Sequence, residues 1–167
     1  MPDGINIEIT GLAELKATFE SLATKDADRA VLKALKAGAV IEQAAITAAA
    51  PVKDTTGGLL PDGALKSDIT ISTKRDSQGK PYIIVAPGKY TAHVARWVEY
   101  GHRLVRGGYS RVLKSGKTRG PGKEVGTVQA HPFIRPAYEE SQNAVASAIA
   151  TTLVEEIEKA AAKGGRP

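Results

Sequence analysis

The sequence has no cysteine and few aromatic residues, and both shortages limit what the protein can be. Its 167 residues include two Phe, one Trp and five Tyr. Without cysteine there are no disulfides and no thiolate metal sites, so the chain is indifferent to the redox state of its compartment. A chain of this length can still bury a core without such cross-links. Alanine-rich helices bury little apolar area per residue, however, which hints at stabilisation by partner subunits.

Long apolar runs are also missing. No segment approaches the roughly 20 apolar residues that a membrane span needs. Residues 1–10 alternate polar and apolar side chains after Asp3, which is not the pattern of a signal peptide. We therefore expect no membrane partner, and a protein that works where it is made.

The usual catalytic signatures are missing as well. Residues 115–118 (SGKT) resemble the end of a phosphate-binding loop, but Arg111 stands where that loop needs its first glycine. Residues 120–122 (GPG) then stand where a helix should follow. No GxSxG nucleophile elbow occurs anywhere in the chain. The sequence therefore predicts no enzyme and no cofactor.

Two histidines flank a long loop and are the remaining candidates for chemistry. His102 and His131, with Glu99 nearby, could in principle bind zinc or act in an unrecognised enzyme. They have neither HxH nor HExxH spacing, so we expect no metal site.

One segment, residues 102–123, contains no acidic residue. It carries seven bases: Arg103, Arg106, Arg111, Lys114, Lys117, Arg119 and Lys123. The net charge is +5, from 23 Lys and Arg against 18 Asp and Glu, so without these seven the acids are in excess. The positive charge is therefore local and predicts contact with an anionic partner, either nucleic acid or an acidic protein surface. The alternative is a solvated loop that its charge keeps soluble.

The order of the predicted elements is that of an α+β fold. Alternation predicts strands at 5–9 and 69–73, an apolar run predicts a strand at 82–86, and residues 127–134 can form a further strand. A turn signal between Asp76 and Lys80, with Gly79, makes the strands at 69–73 and 82–86 a β-hairpin. Helical spacing predicts helices at about 12–22, 27–50, 90–100 and 137–163. We expect one domain over residues 1–167, with a small, mostly antiparallel sheet packed against two long helices. Two long flexible loops at about 51–68 and 102–126 and a frayed tail at 164–167 complete the prediction.

The helix at 90–100 and the segment after the basic loop are expected to frame that loop. Val94, Trp97 and Val98 have the spacing of one helical face, and Gly101 ends the helix. Pro132 and Pro136 favour extended backbone in the residues that precede them.

Four stretches of the chain resemble motifs of one protein family. They are Ile7–Leu15, then Ala50-Pro51 with Thr56-Gly57 and Leu60, then Tyr90–Val94 with Val98–Gly101, and finally Ala130–Ala137. In this order they are similar to the tail-completion or minor tail proteins of lambda-like long-tailed bacteriophages and prophages. His102 departs from that pattern, where the family usually has threonine, and the loop at 59–63 is longer.

The resemblance implies a non-enzymatic assembly protein of the phage neck, which completes the tail and joins it to the DNA-filled head. It would act as one subunit of a ring, hexameric to match the tail. Its partners would be other copies of itself and the neighbouring tail-terminator, tail-tube and head-closure proteins, with packaged DNA as a further contact. It would be found in the host cytoplasm during assembly and then in the virion neck. A tail terminator or head-closure protein of the same neck, or a basic nucleic-acid-binding module, are the alternatives.

Two sets of candidate site residues follow. The candidate subunit or partner interface consists of Trp97, Glu99, Tyr100, Phe133 and Arg135. The seven bases of residues 102–123 are the candidate contacts to DNA in the channel or to an acidic partner. For Phe133 a place in the core is the favoured alternative.

Overall fold

The computed structural model describes residues 24–52, 60–106 and 122–164. These residues form, in chain order, α1 (Thr24–Ala49), α2 (Ala64–Ser67), β1 (Ile69–Arg75), β2 (Pro81–Pro87), α3 (Ala92–Tyr100), β3 (His102–Arg106), β4 (Lys123–Val128) and α4 (Ile134–Gly164). Long helices combine with two small two-stranded sheets, so the predicted α+β class is confirmed. The predicted strand at 5–9 and helix at 12–22 lie outside the described residues.

Backbone contacts divide the chain into two compact units. Unit 1 consists of residues 1–42, 71–84 and 142–167, and unit 2 of residues 43–70 and 85–141. Helices α1 and α4 and both strands of the β1–β2 hairpin contribute residues to each unit. The expectation of one domain stays a prediction.

In unit 1, helices α1 and α4 run antiparallel and approach each other closely. Lys33 contacts Glu156, and Gly38, further along α1, faces Ile149, further back along α4. A Cβ atom at Gly38 would lie 2.7 Å from Cγ1 of Ile149, so the approach depends on the missing side chain. Small residues form the buried stripe of α1 in this unit: Ala27, Ala30, Ala34, Gly38 and Ala39.

Unit 2 has a more varied core. Every described helix and strand of the unit except β2, β3 and β4 contributes a buried residue to it. These are Ile46 and Ala50 around the end of α1, Leu65 of α2, Ile69 of β1, Ala95 of α3, and Phe133 and Ala137 at the start of α4. Each of the buried Ile, Leu and Phe side chains of this core contributes about 1.5–3 kcal/mol of transfer free energy, and the alanines contribute less. The favoured core position of Phe133, which is 3% exposed, agrees with this packing.

The β1–β2 hairpin has the turn that the sequence predicts. Asp76 accepts hydrogen bonds from the backbone N–H groups of Gln78 and Lys80, both at 2.8 Å, and Gly79 adopts a positive φ of 79°. In unit 1 the hairpin is attached to α1 by the ion pair of Arg75 with Asp28, at 2.8 Å. Two of the predicted strands are therefore confirmed, with slightly longer bounds.

The second sheet, between β3 and β4, differs from the prediction. The sequence predicts a loop at 102–126 and a strand at 127–134, whereas β3 pairs with β4 from His102 opposite Val128 to Arg106 opposite Lys123. Most side chains of both strands are exposed, so neither strand has the regular alternation that reveals a half-buried strand. Pairing, rather than burial of one face, makes these segments strands.

Two further boundaries differ. The predicted loop at 51–68 contains the single turn α2, which places Leu65 in the core of unit 2. Helix α4 begins at Ile134, whereas the sequence predicts extended backbone as far as Pro136. Proline is tolerated within the first turn of a helix, where its missing N–H would have no partner in the helix.

Candidate docking surface

Helix α3 is attached at its start to Asp68, a residue distant in sequence. The side chain of Thr91, which precedes the helix, donates a hydrogen bond to Oδ2 of Asp68 at 2.9 Å, and the Thr91 backbone N–H donates to the same atom at 3.3 Å. Thr91 is 2% exposed. A carboxylate at a helix N-terminus also complements the helix dipole. The start of α3 is therefore held by a partly buried side-chain interaction.

Near its end, α3 in turn caps α4 through Glu99. The carboxylate of Glu99 accepts the backbone N–H groups of Phe133 at 2.8 Å, Ile134 at 3.0 Å and Arg135 at 3.2 Å. These are N–H groups that an α-helix start leaves without an intrahelical acceptor. The next residue, Pro136, has no N–H. One carboxylate and one proline thus satisfy the whole first turn of α4.

The ionised form of Glu99 is favoured by this arrangement. Glu99 is 6% exposed, and burial by itself raises the pKa of its carboxyl group. The three backbone N–H groups and the positive charge of Arg135 act in the opposite direction and hold the pKa below its ordinary value. Glu99 is therefore a buried carboxylate that stays charged because its oxygens are occupied by donors.

The backbone after α3 is equally constrained. The N–H of His131 donates to the carbonyl oxygen of Val98 at 2.7 Å. Gly101 adopts a positive φ of 71°, and a Cβ atom there would lie 2.6 Å from the carbonyl oxygen of Val128. Only glycine combines this φ with this approach. The predicted helix end at Gly101 is confirmed, with a steric reason that the sequence does not reveal.

The opposite side of α3 faces solvent. The sequence predicts that Val94, Trp97 and Val98 share one face, but Val94 and Val98 pack against the core of unit 2 while Trp97 is 46% exposed. The buried side is centred on Ala95 and Glu99, because the Glu99 carboxylate must reach α4. The outward side consists of His93, Arg96, Trp97 and Tyr100, which we call the α3 face.

Trp97 is held in place by two histidines. Its ring meets His93 edge to face, with centroids 5.2 Å apart, and meets His102 at 5.1 Å with the rings tilted by 30°. The His102 contact connects the α3 face to the first residue of β3. Nδ1 of His102 is buried and has no hydrogen-bond partner. Trp97 is therefore an exposed aromatic side chain with a restricted orientation.

The α3 face lines a shallow depression. Among the described residues its walls are the four side chains of the face together with Ala92 and Gly101. Arg96, Trp97 and Tyr100 each offer a hydrogen-bond donor, and no carboxylate lines this part of the depression. The lining is suited to an acceptor-rich, negatively charged group.

The β3–β4 pair, which we call the ribbon, exposes apolar and basic side chains together. Leu104 is 43% exposed, Val105 54% and Val125 55%. Arg103 pairs with Glu124 across the ribbon at 3.3 Å, but both side chains remain at least half exposed. Isolated two-stranded sheets are marginal in water, and uncovered aliphatic side chains add to that deficit.

The predicted interface residues fall into two groups. Trp97, Tyr100 and Arg135 are exposed, whereas Glu99 and Phe133 are buried inside unit 2 and contact their own chain. The interface role stays a prediction for these residues, and burial places Glu99 and Phe133 in the core of the unit rather than on its surface.

The predicted basic contacts are described in part. Arg103, Arg106 and Lys123 lie on the ribbon and are exposed. The other four bases of the loop, Arg111, Lys114, Lys117 and Arg119, lie outside the described residues. Sequence reasoning does not identify Asp68, since no local pattern indicates that it contacts Thr91.

The alternative of a metal or catalytic site finds little geometric support. Both oxygens of Glu99 accept backbone N–H groups, so this carboxylate is not available as a ligand or base. In residues 24–52, 60–106 and 122–164, no three His, Asp or Glu side chains are placed to hold a metal ion. No helix in the described part of the chain is long and apolar enough to cross a membrane.

Comparison with known proteins identifies one family. Residues 13–101, just over half of the chain, match the model of the HK97-gp10-like family, described as "Bacteriophage HK97-gp10, putative tail-component". The matched segment includes α1, the β1–β2 hairpin and α3, and it ends at Gly101, where the ribbon begins. No curated protein and no solved structure matches the chain.

Proposed function

Because the chain belongs to the HK97-gp10-like family of bacteriophage tail components, we propose that it is a non-enzymatic structural subunit of the phage neck. In this proposal it completes the tail and joins it to the DNA-filled head. Several copies form a ring, hexameric to match the tail, in contact with the neighbouring tail and head-closure proteins. The protein assembles in the host cytoplasm and stays in the virion.

The observation that carries this proposal is the combination of the family match with the α3 face. The match ends at the helix whose inward side is fixed by Asp68 and Glu99 and whose outward side exposes Trp97 and Tyr100. Exposed aromatic side chains on a rigid element are typical of protein interfaces. A subunit that must orient its neighbours needs such a rigid support.

Electron microscopy of particles from a phage that carries this gene, with the gene deleted, tests the proposal. We expect filled heads beside separate tails of normal length, and joined particles after addition of the purified protein. Addition of buffer alone is the control. Infectious particles that form normally without the gene would contradict a neck function.

The same experiment separates the two other neck functions. Tails of uncontrolled length would identify a tail terminator. Heads that package DNA and then lose it would identify a head-closure protein. Either result would keep the chain in the neck but move it to a different ring.

A further inference from the structure

The net positive charge of the chain belongs to one of its two compact units. Unit 2 contains 12 Lys and Arg against 7 Asp and Glu, whereas unit 1 contains 11 of each. The net charge of +5 therefore belongs to unit 2, although four of its bases, Arg111, Lys114, Lys117 and Arg119, lie outside the described residues. On α3 and the ribbon the exposed charges are Arg96, Arg103, Arg106 and Lys123 against Glu124. A localised charge of this kind favours a partner surface of opposite sign.

The few acids around α3 do not weaken this charge at the surface. Glu99 is the only acid between Ala92 and Arg106, and it is buried under the start of α4. The Asp68 carboxylate accepts a hydrogen bond from the Thr91 side chain. The outward side of α3 therefore presents its bases without an exposed acid, and the exposed acid of the adjoining ribbon is Glu124, which pairs with Arg103.

The same surface contains an apolar centre. Trp97 is held by two histidines, so little side-chain entropy is lost when a partner covers it. The adjoining ribbon adds Leu104, Val105 and Val125, each 43–55% exposed. Covering these side chains would remove apolar area from water and stabilise the ribbon.

We propose, resting on the neck function above, that the α3 face and the ribbon together dock onto an acidic protein surface of a neighbouring virion component. The depression lined by Arg96, Trp97 and Tyr100 receives a carboxylate of that partner. DNA is the weaker alternative, because phosphate contacts gain nothing from exposed leucine and valine. Trp, Tyr and Arg are instead the residues that contribute most at protein interfaces.

Affinity measurements with defined probes test the proposal. The probes are purified tails and purified filled heads from the gene-deleted phage, and a fragment of double-stranded DNA. We expect the wild-type protein to bind one of the two particles, and Trp97→Ala to weaken this binding at least about tenfold. Tyr82→Ala is the matched control, because Tyr82 is an aromatic residue of unit 1 with similar exposure, 40%.

Charge reversal tests the acidic character of the partner. Arg96→Glu should weaken particle binding and reduce its dependence on salt concentration, because one cation no longer meets the partner. Arg29→Glu is the control, since the Arg29 side chain is 82% exposed in unit 1. If Arg96→Glu binds the particle as tightly as the wild-type protein does, the proposal is overturned. The same holds if this variant loses only its binding to DNA.

A photo-reactive benzoyl-phenylalanine at position 100 identifies the occupant directly. We expect a cross-link to a peptide of another virion protein that is rich in Asp and Glu. A cross-link to a second copy of this chain, to DNA or to a peptide without acids would overturn the proposal.

Failure of the docking proposal is distinguishable from failure of the neck function. If the wild-type protein does not restore joined particles, the neck function fails. If the wild-type protein and the Trp97→Ala and Arg96→Glu variants all restore them equally, the neck function holds and the docking surface is wrong.

Discussion

In unit 1 the charged side chains pair with one another at the surface, whereas in unit 2 two carboxylates turn inward and accept hydrogen bonds. Glu156 lies between Lys33 and Lys159, and the helices beneath pack through small residues. In unit 2, Asp68 and Glu99 organise the ends of two helices. Unit 1 can be altered at its surface at little cost, while single polar residues of unit 2 determine where α3 and α4 lie.

Replacing Glu99 should have the largest effect, because it removes the acceptor of three backbone N–H groups at once. We expect Glu99→Ala to reduce the free energy of unfolding by about 3–5 kcal/mol, since buried donors without acceptors carry their full desolvation cost. Glu99→Gln keeps an acceptor oxygen and should lose less. Urea denaturation measures both, with exposed Glu158→Gln as the control. Equal stability of Glu99→Ala and the control would show that the cap contributes little.

The same carboxylate should make stability depend on pH. The pKa of Glu99 is lowered in the folded chain, so its contribution is fully present above about pH 4.5, the ordinary value for a glutamic acid. It is lost as the pH falls through the lower folded-state pKa. Between neutral pH and about pH 3 the wild-type protein should therefore lose more stability than Glu99→Gln does. Parallel pH profiles for the two proteins would contradict this assignment.

A pair of glycines, one in each unit, gives the next comparison. Gly101 and Gly79 both have positive φ, of 71° and 79°. A Cβ atom meets the backbone at Gly101 but has nothing within 4 Å at Gly79. We expect Gly79→Ala to cost about 1 kcal/mol from backbone strain, and Gly101→Ala about 2–4 kcal/mol because a steric term is added. Equal midpoints of thermal unfolding for the two variants would remove the steric explanation.

A substitution in the helix packing of unit 1 should lower the stability less, and a second substitution should reverse the loss. Gly38→Ala places a methyl group 2.7 Å from Cγ1 and 2.8 Å from Cδ1 of Ile149, so we expect a net loss of about 1–2 kcal/mol. In an Ile149→Ala background both of these contacts disappear, and the 3.1 Å approach to Cγ1 of Val145 remains. There Gly38→Ala should be neutral or stabilising, because alanine favours the helix by about 1 kcal/mol over glycine. A double-mutant cycle in urea measures this, and a coupling energy near zero would contradict the packing.

The surface ion pairs of unit 1 should give the smallest effect. Lys33 and Lys159 approach Glu156 at 2.9 and 3.0 Å, and the hydrogen bond from Lys33 is the main cause of its lowered pKa. Lys33 is largely exposed, so water and salt screen the attraction. Glu156→Gln should lower the thermal midpoint slightly at low salt and not at high salt. A loss of stability as large as that of Glu99→Ala would contradict the proposed difference between the two units.

Prediction from sequence succeeds where the signal is local. The helix predicted at 27–50 is α1 at Thr24–Ala49, and the predicted hairpin is β1–β2 with its turn at Asp76. Periodicity and turn residues are properties of neighbouring positions, so they are visible without the fold. The same holds for Gly101 as the end of α3.

Prediction is wrong where distant residues decide the structure. β3 and β4 are strands because they pair with each other across a long separation, and their exposed side chains show no alternation. The start of α4 precedes the predicted position because Glu99 caps it from 34 residues away. Trp97 and Val98 are assigned to one face from spacing, but contact with the core separates them.

By itself, the sequence determined the α+β class, the long helices, the first hairpin and the location of the basic residues, since each depends on composition or on contacts between near neighbours. The family motifs are also carried by the sequence, and they indicate a phage tail component without reference to the fold. Only the tertiary structure decided that Glu99 and Phe133 face inward while Trp97 and Tyr100 face outward. The direction in which a helical side chain points relative to the core depends on which remote carboxylates, amides and apolar groups must meet, and spacing alone does not contain that information.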